Sequence, residues 1–202
     1  DFSTLGALGI YGLTVLLGLF IMVFVFYSSL LMFYAKVNPV NFFKAIAPAQ
    51  LLAFSTSSSA ATLPVTMECV TEKVGVDEEV SSFVLPLGAT VNMDGTSLYQ
   101  AVAAIFIAQA MLPVPLDLQT QLMIVVTATL ASIGSAAVPS AGMVMLVIVL
   151  GQAGIPEAGL ALIFAIDRPL DMCRTVVNVT SDCTIATIVA KSVGKLKTPE
   201  NF

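Results

Sequence analysis

Long apolar stretches without charge dominate the polarity pattern of this chain, beginning with residues 5–34, which contain no charged residue. A membrane-spanning helix needs about 20 predominantly apolar residues. This stretch therefore predicts a spanning helix over 5–35, ended by the polar, proline-containing residues 36–39. A soluble helix of this length would carry a polar face, and this one has none. The pattern predicts an integral membrane protein.

Two pairs of shorter apolar stretches follow, each pair separated by small residues. Residues 39–75 hold two arms around a serine-rich tip at 55–61, and residues 118–153 hold two arms around a tip at 134–142. Arms of about 14 residues are too short to span a bilayer, so each pair predicts a re-entrant helical hairpin. The two tips share a Ser-Ala-Ala sequence followed closely by proline.

A long apolar segment follows each hairpin, at 80–111 and at 156–193, and each contains polar residues midway. Residues 92–96, Asn-Met-Asp-Gly-Thr, interrupt the first segment with residue types that favour turns. Each half of the chain thus predicts a hairpin followed by a broken transmembrane helix. Paired, interrupted segments of this kind mark the binding site of a transporter. We predict an all-α membrane protein with an inverted-repeat transporter fold.

The last segment places ionisable and amide side chains on one helical face. Asp171, Arg174, Asn178 and Asp182 follow at steps of three, four and four residues, and Asp167 lies one turn earlier. An ionisable group deep in a bilayer costs from ~2.5 to more than 10 kcal/mol, so these side chains must face a partner, a substrate or an ion. The alternative role for Arg174 is an internal ion pair with Asp167 or Asp171.

The chemistry of these side chains indicates the class of substrate. The carboxylate and amide groups of 92–96, Asn178 and Asp182 are hard oxygen ligands, which suit Na⁺ or H⁺ rather than a transition metal. Arg174 offers a planar fork for a carboxylate, and Asp171 an anion for an ammonium group. Together they describe an acidic amino acid carried with cations. The alternatives are an ordinary turn at Asp94 and a plain linker at the serine-rich tip.

The amino-acid composition excludes several classes of function. The chain is 57% hydrophobic and 10% charged, where a soluble domain would carry about 25% charged residues. The absence of histidine excludes histidine-dependent catalysis and the common zinc sites within this sequence, and the net charge of −5 excludes a basic nucleic-acid surface. We predict no enzyme activity and no cofactor. A paired-aspartate intramembrane hydrolase is disfavoured because Arg174 would keep Asp171 ionised, and a dedicated channel would not need an Asp–Arg substrate pair.

The basic residues predict an orientation. If both hairpins are re-entrant, the lysines at 36–73 and at the C-terminus fall on one side, whereas the loops at 112–118 and 151–158 contain no Lys or Arg. The positive-inside rule then places the C-terminus in the cytoplasm of a multi-pass protein of the inner or plasma membrane.

Four motifs carry a family resemblance: Ser57–Ser59, residues 92–96, the Gly-Ser-Ala-Ala-Val-Pro tip at 134–139, and residues 171–182. With them the chain resembles the glutamate/aspartate transporter family, the dicarboxylate/amino acid:cation symporters. The resemblance implies that residues 1–202 form the C-terminal part of a mobile transport domain. It also implies a homotrimer in the membrane lipid, assembled through a scaffold outside this chain, with the second hairpin as a gate and an elevator movement.

The resemblance also assigns site residues by position. Arg174 would bind the substrate side-chain carboxylate and Asp171 its amino group, helped by Thr96, Thr175, Asn178, Ser58 and Val138. A first sodium site would use Asp182 and the carbonyls of Gly88, Asn92 and Asn178. A second would use the carbonyls of Thr90, Ser132, Ile133 and Ser135. A third would use Asn92 and Asp94 with residues outside this chain.

The resemblance implies glutamate or aspartate symport with Na⁺, and leaves a proton-coupled symporter of the same substrates and a C4-dicarboxylate symporter as alternatives. Many members carry a further arginine where this chain has Ser57 or Met172, and potassium-coupled members carry it at the Met172 position. This chain instead has Arg168-Pro169, where apolar or aromatic residues are expected.

Overall fold

The computed structural model describes residues 2–197, with side chains described from Leu5 onward. Helices account for most of this range, and its only β-type pairing is one isolated bridge between Val76 and Leu196. The prediction of an all-α fold is confirmed. We number the helices α1 to α8 in chain order. They are α1 (Phe2–Ile21, continued by π-helical Met22–Tyr27, α-helical Ser28–Leu30 and π-helical Leu31–Ala35), α2 (Pro39–Thr56), α3 (Ser59–Glu68, continued by π-helical Cys69–Val74), α4 (Glu78–Val91), α5 (Asp94–Met111), α6 (Leu118–Ile133), α7 (Ala141–Gln152) and α8 (Leu160–Ser192).

The π-helical turns of α1 keep one stripe of the helix facing the core. Its buried side chains recur at every fourth position, and the intervening ones are mostly exposed. They are Tyr11, Val15, Leu19, Val23, Tyr27, Leu31 and Ala35. An α-helix has 3.6 residues per turn, so a four-residue period would drift around it by roughly 40° per step. From Met22 onward the π turns, bonded i to i+5, hold more residues per turn and reduce this drift. Helix α1 contacts α8 through its first α-helical segment and through both π-helical segments.

One helix in the described part of the chain, Leu5–Ala35, is long and apolar enough to cross a membrane by length and composition. Leu118–Ile133 and Ala141–Gln152 are apolar but shorter. These two helices are the arms of the second hairpin.

The first hairpin consists of α2 and α3, joined by only two non-helical residues, Ser57 and Ser58. The serine-rich tip predicted at 55–61 is therefore shorter than expected, and α2 has 18 residues rather than about 14. Helix α2 starts early because Asn38 caps it, with Oδ1 accepting from the Val40 N–H at 2.9 Å. It ends where Ser57 adopts a left-handed φ of 52°.

A two-residue break separates α4 from α5, at Asn92 and Met93. The freed backbone finds a side-chain partner, since the Gly95 N–H donates to Asn178 Oδ1 of α8 at 2.8 Å. The break thus lies against the polar face of the last helix.

Helix α8 is continuous over 33 residues from Leu160 to Ser192, which corresponds to about 50 Å. The prediction that the segment 156–193 contains a broken helix is therefore wrong. Unlike the first segment, which has Gly95 just after its break, α8 contains no glycine. Its midway polar residues follow helical spacing, so they need no interruption to face one side. Pro169 is accommodated within the helix.

Two apolar cores flank the polar stretch of α8. One gathers the N-terminal half of α1 with α5 and the second hairpin, and the other gathers the end of α1 with the first hairpin and the C-terminal half of α8. The polar side chains of α8 lie between these cores, where both hairpin tips meet the helix break.

Candidate functional site

The polar face of α8 is buried. Five residues with ionisable or amide side chains are each at most 4% exposed, namely Asp167, Asp171, Arg174, Asn178 and Asp182. Such groups are rarely buried without partners, because losing their hydration costs several kcal/mol per ion. Their contacts define two adjacent regions, one around Arg174 and one around Asp182.

Arg174 lies at the centre of the first region. Its Nη2 is 2.7 Å from Asp171 Oδ1 and its Nη1 is 3.4 Å from Asp167 Oδ1. The guanidinium also lies over the ring of Tyr99, 4.1 Å from the ring centroid, an arrangement that attracts a cation to the aromatic face. The alternative reading of Arg174 as a member of an internal ion pair is therefore observed in this structure.

The Asp171–Arg174 contact is an ion pair without hydrogen-bond alignment, because Nη2 has no hydrogen-bond partner in spite of its 2.7 Å distance to Oδ1. A buried guanidinium nitrogen without an aligned acceptor is costly. The contact leaves one buried guanidinium donor without an acceptor.

Asp171 also joins α8 to the second hairpin. Its Oδ2 accepts a hydrogen bond from the Ser140 backbone N–H at 2.8 Å, just before α7 begins. Arg168 Nη1 lies 3.6 Å from the same oxygen. Asp171 is thus shared between its own helix and the hairpin tip.

A small cavity of about 20 Å³ lies beside these groups. Six of the seven predicted substrate residues line it: Thr96, Val138, Asp171, Arg174, Thr175 and Asn178. Ser58 does not, although its neighbours Ser57 and Ser59 do. Its hydroxyl donates instead to the Ala137 carbonyl at 2.6 Å, so that the two hairpin tips touch.

The size of the cavity limits what it holds as shaped. About 20 Å³ accommodates roughly one water molecule, whereas ligand pockets are typically ~300–1,000 Å³. Gly142 of α7 makes this closeness possible, since a Cβ there would lie 3.0 Å from Arg174 Cζ. A molecule as large as an amino acid therefore needs the elements that line the cavity to move apart.

Asp182 is the centre of the second region and directly contacts the helix break. Its Oδ1 accepts from Asn92 Nδ2 at 3.0 Å, and the same amide donates to Ser181 Oγ at 2.8 Å. Gly88 of α4 packs against this carboxylate, because an added Cβ would lie 2.7 Å from Oδ1. Asn178 reaches the break through its bond from the Gly95 N–H. The residues of the first predicted sodium site therefore all lie at the helix break, and the Gly88 carbonyl already accepts from the Asn92 N–H at 2.8 Å.

Asp94 has side-chain partners that the sequence did not reveal. Its Oδ2 accepts from Tyr27 Oη and from Ser181 Oγ, each at 2.7 Å. In the sequence, the only indication that Tyr27 contacts a polar group is that its side chain carries a hydroxyl on the buried stripe of α1. Tyr99 cannot be distinguished in the sequence from an aromatic residue of the apolar core. Asp94 is thus a fixed acceptor rather than an ordinary exposed turn.

The residues of the second predicted sodium site differ in burial. Ser132 and Ser135 are buried near the end of α6, whereas Thr90 and Ile133 are exposed. Thr90 lies in the last turn of α4, which contacts α6, and the Ser132 carbonyl already accepts from the Ser135 N–H at 3.0 Å. Within residues 2–197, no group of three or more Asp, Glu, Cys or His side chains could hold a metal.

Comparison with known proteins gives a consistent picture. The sodium:dicarboxylate symporter family model matches residues 1–192. Excitatory amino acid transporter 5 of Homo sapiens is 48% identical over 183 residues, which are 91% of this chain and 32% of the human protein. Excitatory amino acid transporter 3 of Oryctolagus cuniculus is 48% identical over 191 residues, 95% of this chain and 36% of the rabbit protein. The chain spans about a third of the length of these relatives.

Proposed function

The chain belongs to the sodium:dicarboxylate symporter family, and on that premise we propose that the complete protein, these residues with any flanking sequence, carries glutamate or aspartate into the cell together with Na⁺. The single observation that carries the proposal is the buried Asp171–Arg174 pair beside a cavity between the two hairpin tips. Family membership makes the protein an integral membrane transporter rather than an enzyme.

Arg174 and Asp171 recognise the two ends of the substrate in this proposal. The Nη2 group of Arg174, which has no hydrogen-bond acceptor in this structure, donates to the side-chain carboxylate of the substrate. A planar guanidinium is well suited to binding a carboxylate. Asp171 then holds the substrate ammonium, and it loses its contact with Arg174 in doing so. Thr96, Thr175 and Asn178, which line the same cavity, add hydrogen bonds, with backbone from Ser58 and Val138.

The second hairpin acts as the gate. Two hydrogen bonds tie it to the rest of the site: Ser140 N–H to Asp171, and Gln100 Nε2 to the Gly142 carbonyl at 3.0 Å. Ser58 Oγ and the Ala60 N–H both donate to the Ala137 carbonyl, at 2.6 and 3.4 Å, and tie it to the first hairpin. Opening requires these bonds, the Ser97–Thr129 hydroxyl contact at 3.1 Å and part of the apolar packing against α5 to break while α8 stays in place.

The cation sites follow the Asp182 region. We propose one Na⁺ between the Asp182 carboxylate and the carbonyls of Gly88, Asn92 and Asn178. A second uses the carbonyls of Thr90, Ser132, Ile133 and Ser135, and a third uses Asn92 and Asp94, now with Tyr27 and Ser181 as their neighbours. Hard oxygen ligands suit Na⁺.

In the complete protein we propose an elevator movement of this core within a homotrimer in the membrane. Both hairpins would be re-entrant and the C-terminus cytoplasmic, since Lys and Arg are absent from the loops at 112–118 and 151–158.

Uptake in proteoliposomes tests the proposal. Labelled L-aspartate is expected to accumulate under an inward Na⁺ gradient, and Arg174→Cys is expected to abolish that uptake and to shift binding toward neutral amino acids. Accumulation driven only by a pH gradient would instead support proton coupling at the same carboxylates. No concentrative uptake of any acidic substrate, or unchanged aspartate affinity in Arg174→Cys, would refute the proposed function.

A further inference from the structure

Arg168 contacts the substrate site from outside, and the proposed function assigns it no role. Its Nη1 lies 3.6 Å from Asp171 Oδ2, and its side chain is 53% exposed where that of Asp171 is 4% exposed. Among the described residues, Arg168 and Arg174 are the two basic side chains that pair with Asp171.

The two arginines contact different oxygens of Asp171. Arg174 lies against Oδ1, whereas Arg168 and the Ser140 backbone N–H share Oδ2. When Arg174 turns to a substrate carboxylate, Oδ1 loses its cation. Asp171 then needs another positive charge, because a buried carboxylate without a partner is strongly destabilising.

The charges of the site show where that cation comes from. Asp167, Asp171 and Arg174 sum to one net negative charge, and Arg168 makes the group neutral. An acidic amino acid supplies its own ammonium to Asp171. A dicarboxylate without an amino group brings two further negative charges and no cation, so it depends on a cation from the protein.

We propose that Arg168 is a specificity-determining residue, whose guanidinium occupies the place of the substrate ammonium at Asp171 and thereby sets the preference between acidic amino acids and amine-free dicarboxylates. Its long, half-exposed side chain can withdraw from Oδ2 when an ammonium group arrives and return when the ligand has none. This proposal rests on the proposed function, because it requires that Asp171 face the substrate.

The test compares the apparent Kd values of L-aspartate and succinate, measured by calorimetry on the complete protein in detergent at saturating Na⁺. In Arg168→Gln, succinate affinity is expected to fall about fivefold relative to aspartate affinity, the effect of losing about 1 kcal/mol from a partly exposed ion pair. Aspartate affinity is expected to stay the same or rise, because its ammonium no longer competes with Arg168. Arg168→Lys, which keeps the charge, is expected to restore most of the wild-type ratio.

Two controls separate this role from a structural one. Lys44→Gln removes an exposed charge from α2 and is expected to leave the ratio unchanged. Arg168→Met is a second charge-free variant with an unbranched side chain, and it should reproduce Arg168→Gln. The proposal would be overturned if the ratio of succinate to aspartate affinity stayed the same in Arg168→Gln, including the case in which both affinities fall equally. It would also be overturned if Arg168→Lys did not restore the ratio. If the wild type binds neither ligand, the proposed function itself fails.

Discussion

Gly88→Ala tests whether the Asp182 region binds Na⁺. Gly88 lies in α4 one turn before the helix break, and its backbone carbonyl accepts from the Asn92 N–H at 2.8 Å. A Cβ at this position would lie 2.7 Å from Asp182 Oδ1 and 3.2 Å from Cγ, where ordinary van der Waals contact begins at 3.4 Å. The carboxylate must therefore move away from its bond with Asn92.

The size of the effect follows from the space available. Asp182 is 3% exposed, so it has little room to relax, and overpacking of this kind costs about 1–3 kcal/mol. Alanine in place of a helical glycine gains roughly 0.5–1 kcal/mol. Gly151→Ala in α7 isolates that gain, because no atom lies within 4 Å of an added Cβ. The two variants should differ in free energy of unfolding by about 1–3 kcal/mol, with Gly88→Ala the less stable.

Sodium affinity is the decisive readout. Displacing a ligand's supporting group typically costs 10–100-fold in metal affinity, so the Na⁺ concentration that supports half-maximal aspartate binding should rise at least tenfold in Gly88→Ala. In Gly151→Ala it should not change. Equal Na⁺ dependence in both variants would refute the assignment of Asp182 to a cation site, whatever the change in stability.

Three further substitutions have defined outcomes. Ser58→Ala removes both the cap of α3 and the hydroxyl bond to the second hairpin, and we expect thermal denaturation to show a loss of about 1–2 kcal/mol. Tyr27→Phe removes the bond to Asp94 Oδ2, and about 1 kcal/mol of stability should be lost with it; an unchanged melting temperature would contradict that contact. Hydrogen bonds from the side chain and backbone of Thr120 lower the pKa of Asp117 from its ordinary value. Its charged form therefore stabilises the fold above that ordinary value. The stability advantage over Asp117→Asn should be constant at neutral pH and shrink as the pH falls into the acidic range where Asp117 takes up a proton; an advantage that grew on acidification would contradict it.

Much of the site could be predicted from sequence because it lies on one continuous helix. Asp171, Arg174, Asn178 and Asp182 follow the helical repeat, so their common face is fixed by spacing alone. The interruption at 92–96 could also be predicted, because turn-forming residues interrupt an apolar segment, although the observed break comprises only Asn92 and Met93. The roles of these residues do not follow from spacing, and those proposed here come from the resemblance of the motifs to the family.

The contacts between distant elements could not be predicted in this way. Tyr27 of α1 reaches the Asp94 carboxylate, and Tyr99 of α5 lies under the Arg174 guanidinium. Nothing in the local sequence distinguishes either tyrosine from an ordinary aromatic residue of the core. The break expected in the last segment does not occur, since polar residues at helical spacing do not interrupt a helix when their partners lie on one side. The length of α2 depended on the cap at Asn38, a side-chain contact beyond the apolar pattern.

The Na⁺ dependence of L-aspartate affinity tests the central claim most directly. Calorimetric titration of the complete protein, with choline replacing Na⁺ at constant ionic strength, should show aspartate affinity rising steeply with Na⁺ concentration. By linkage, Na⁺ affinity should rise with aspartate by the same factor. Aspartate affinity that is indifferent to Na⁺, or that follows pH instead, would contradict a sodium-coupled site at Asp182 and the helix break.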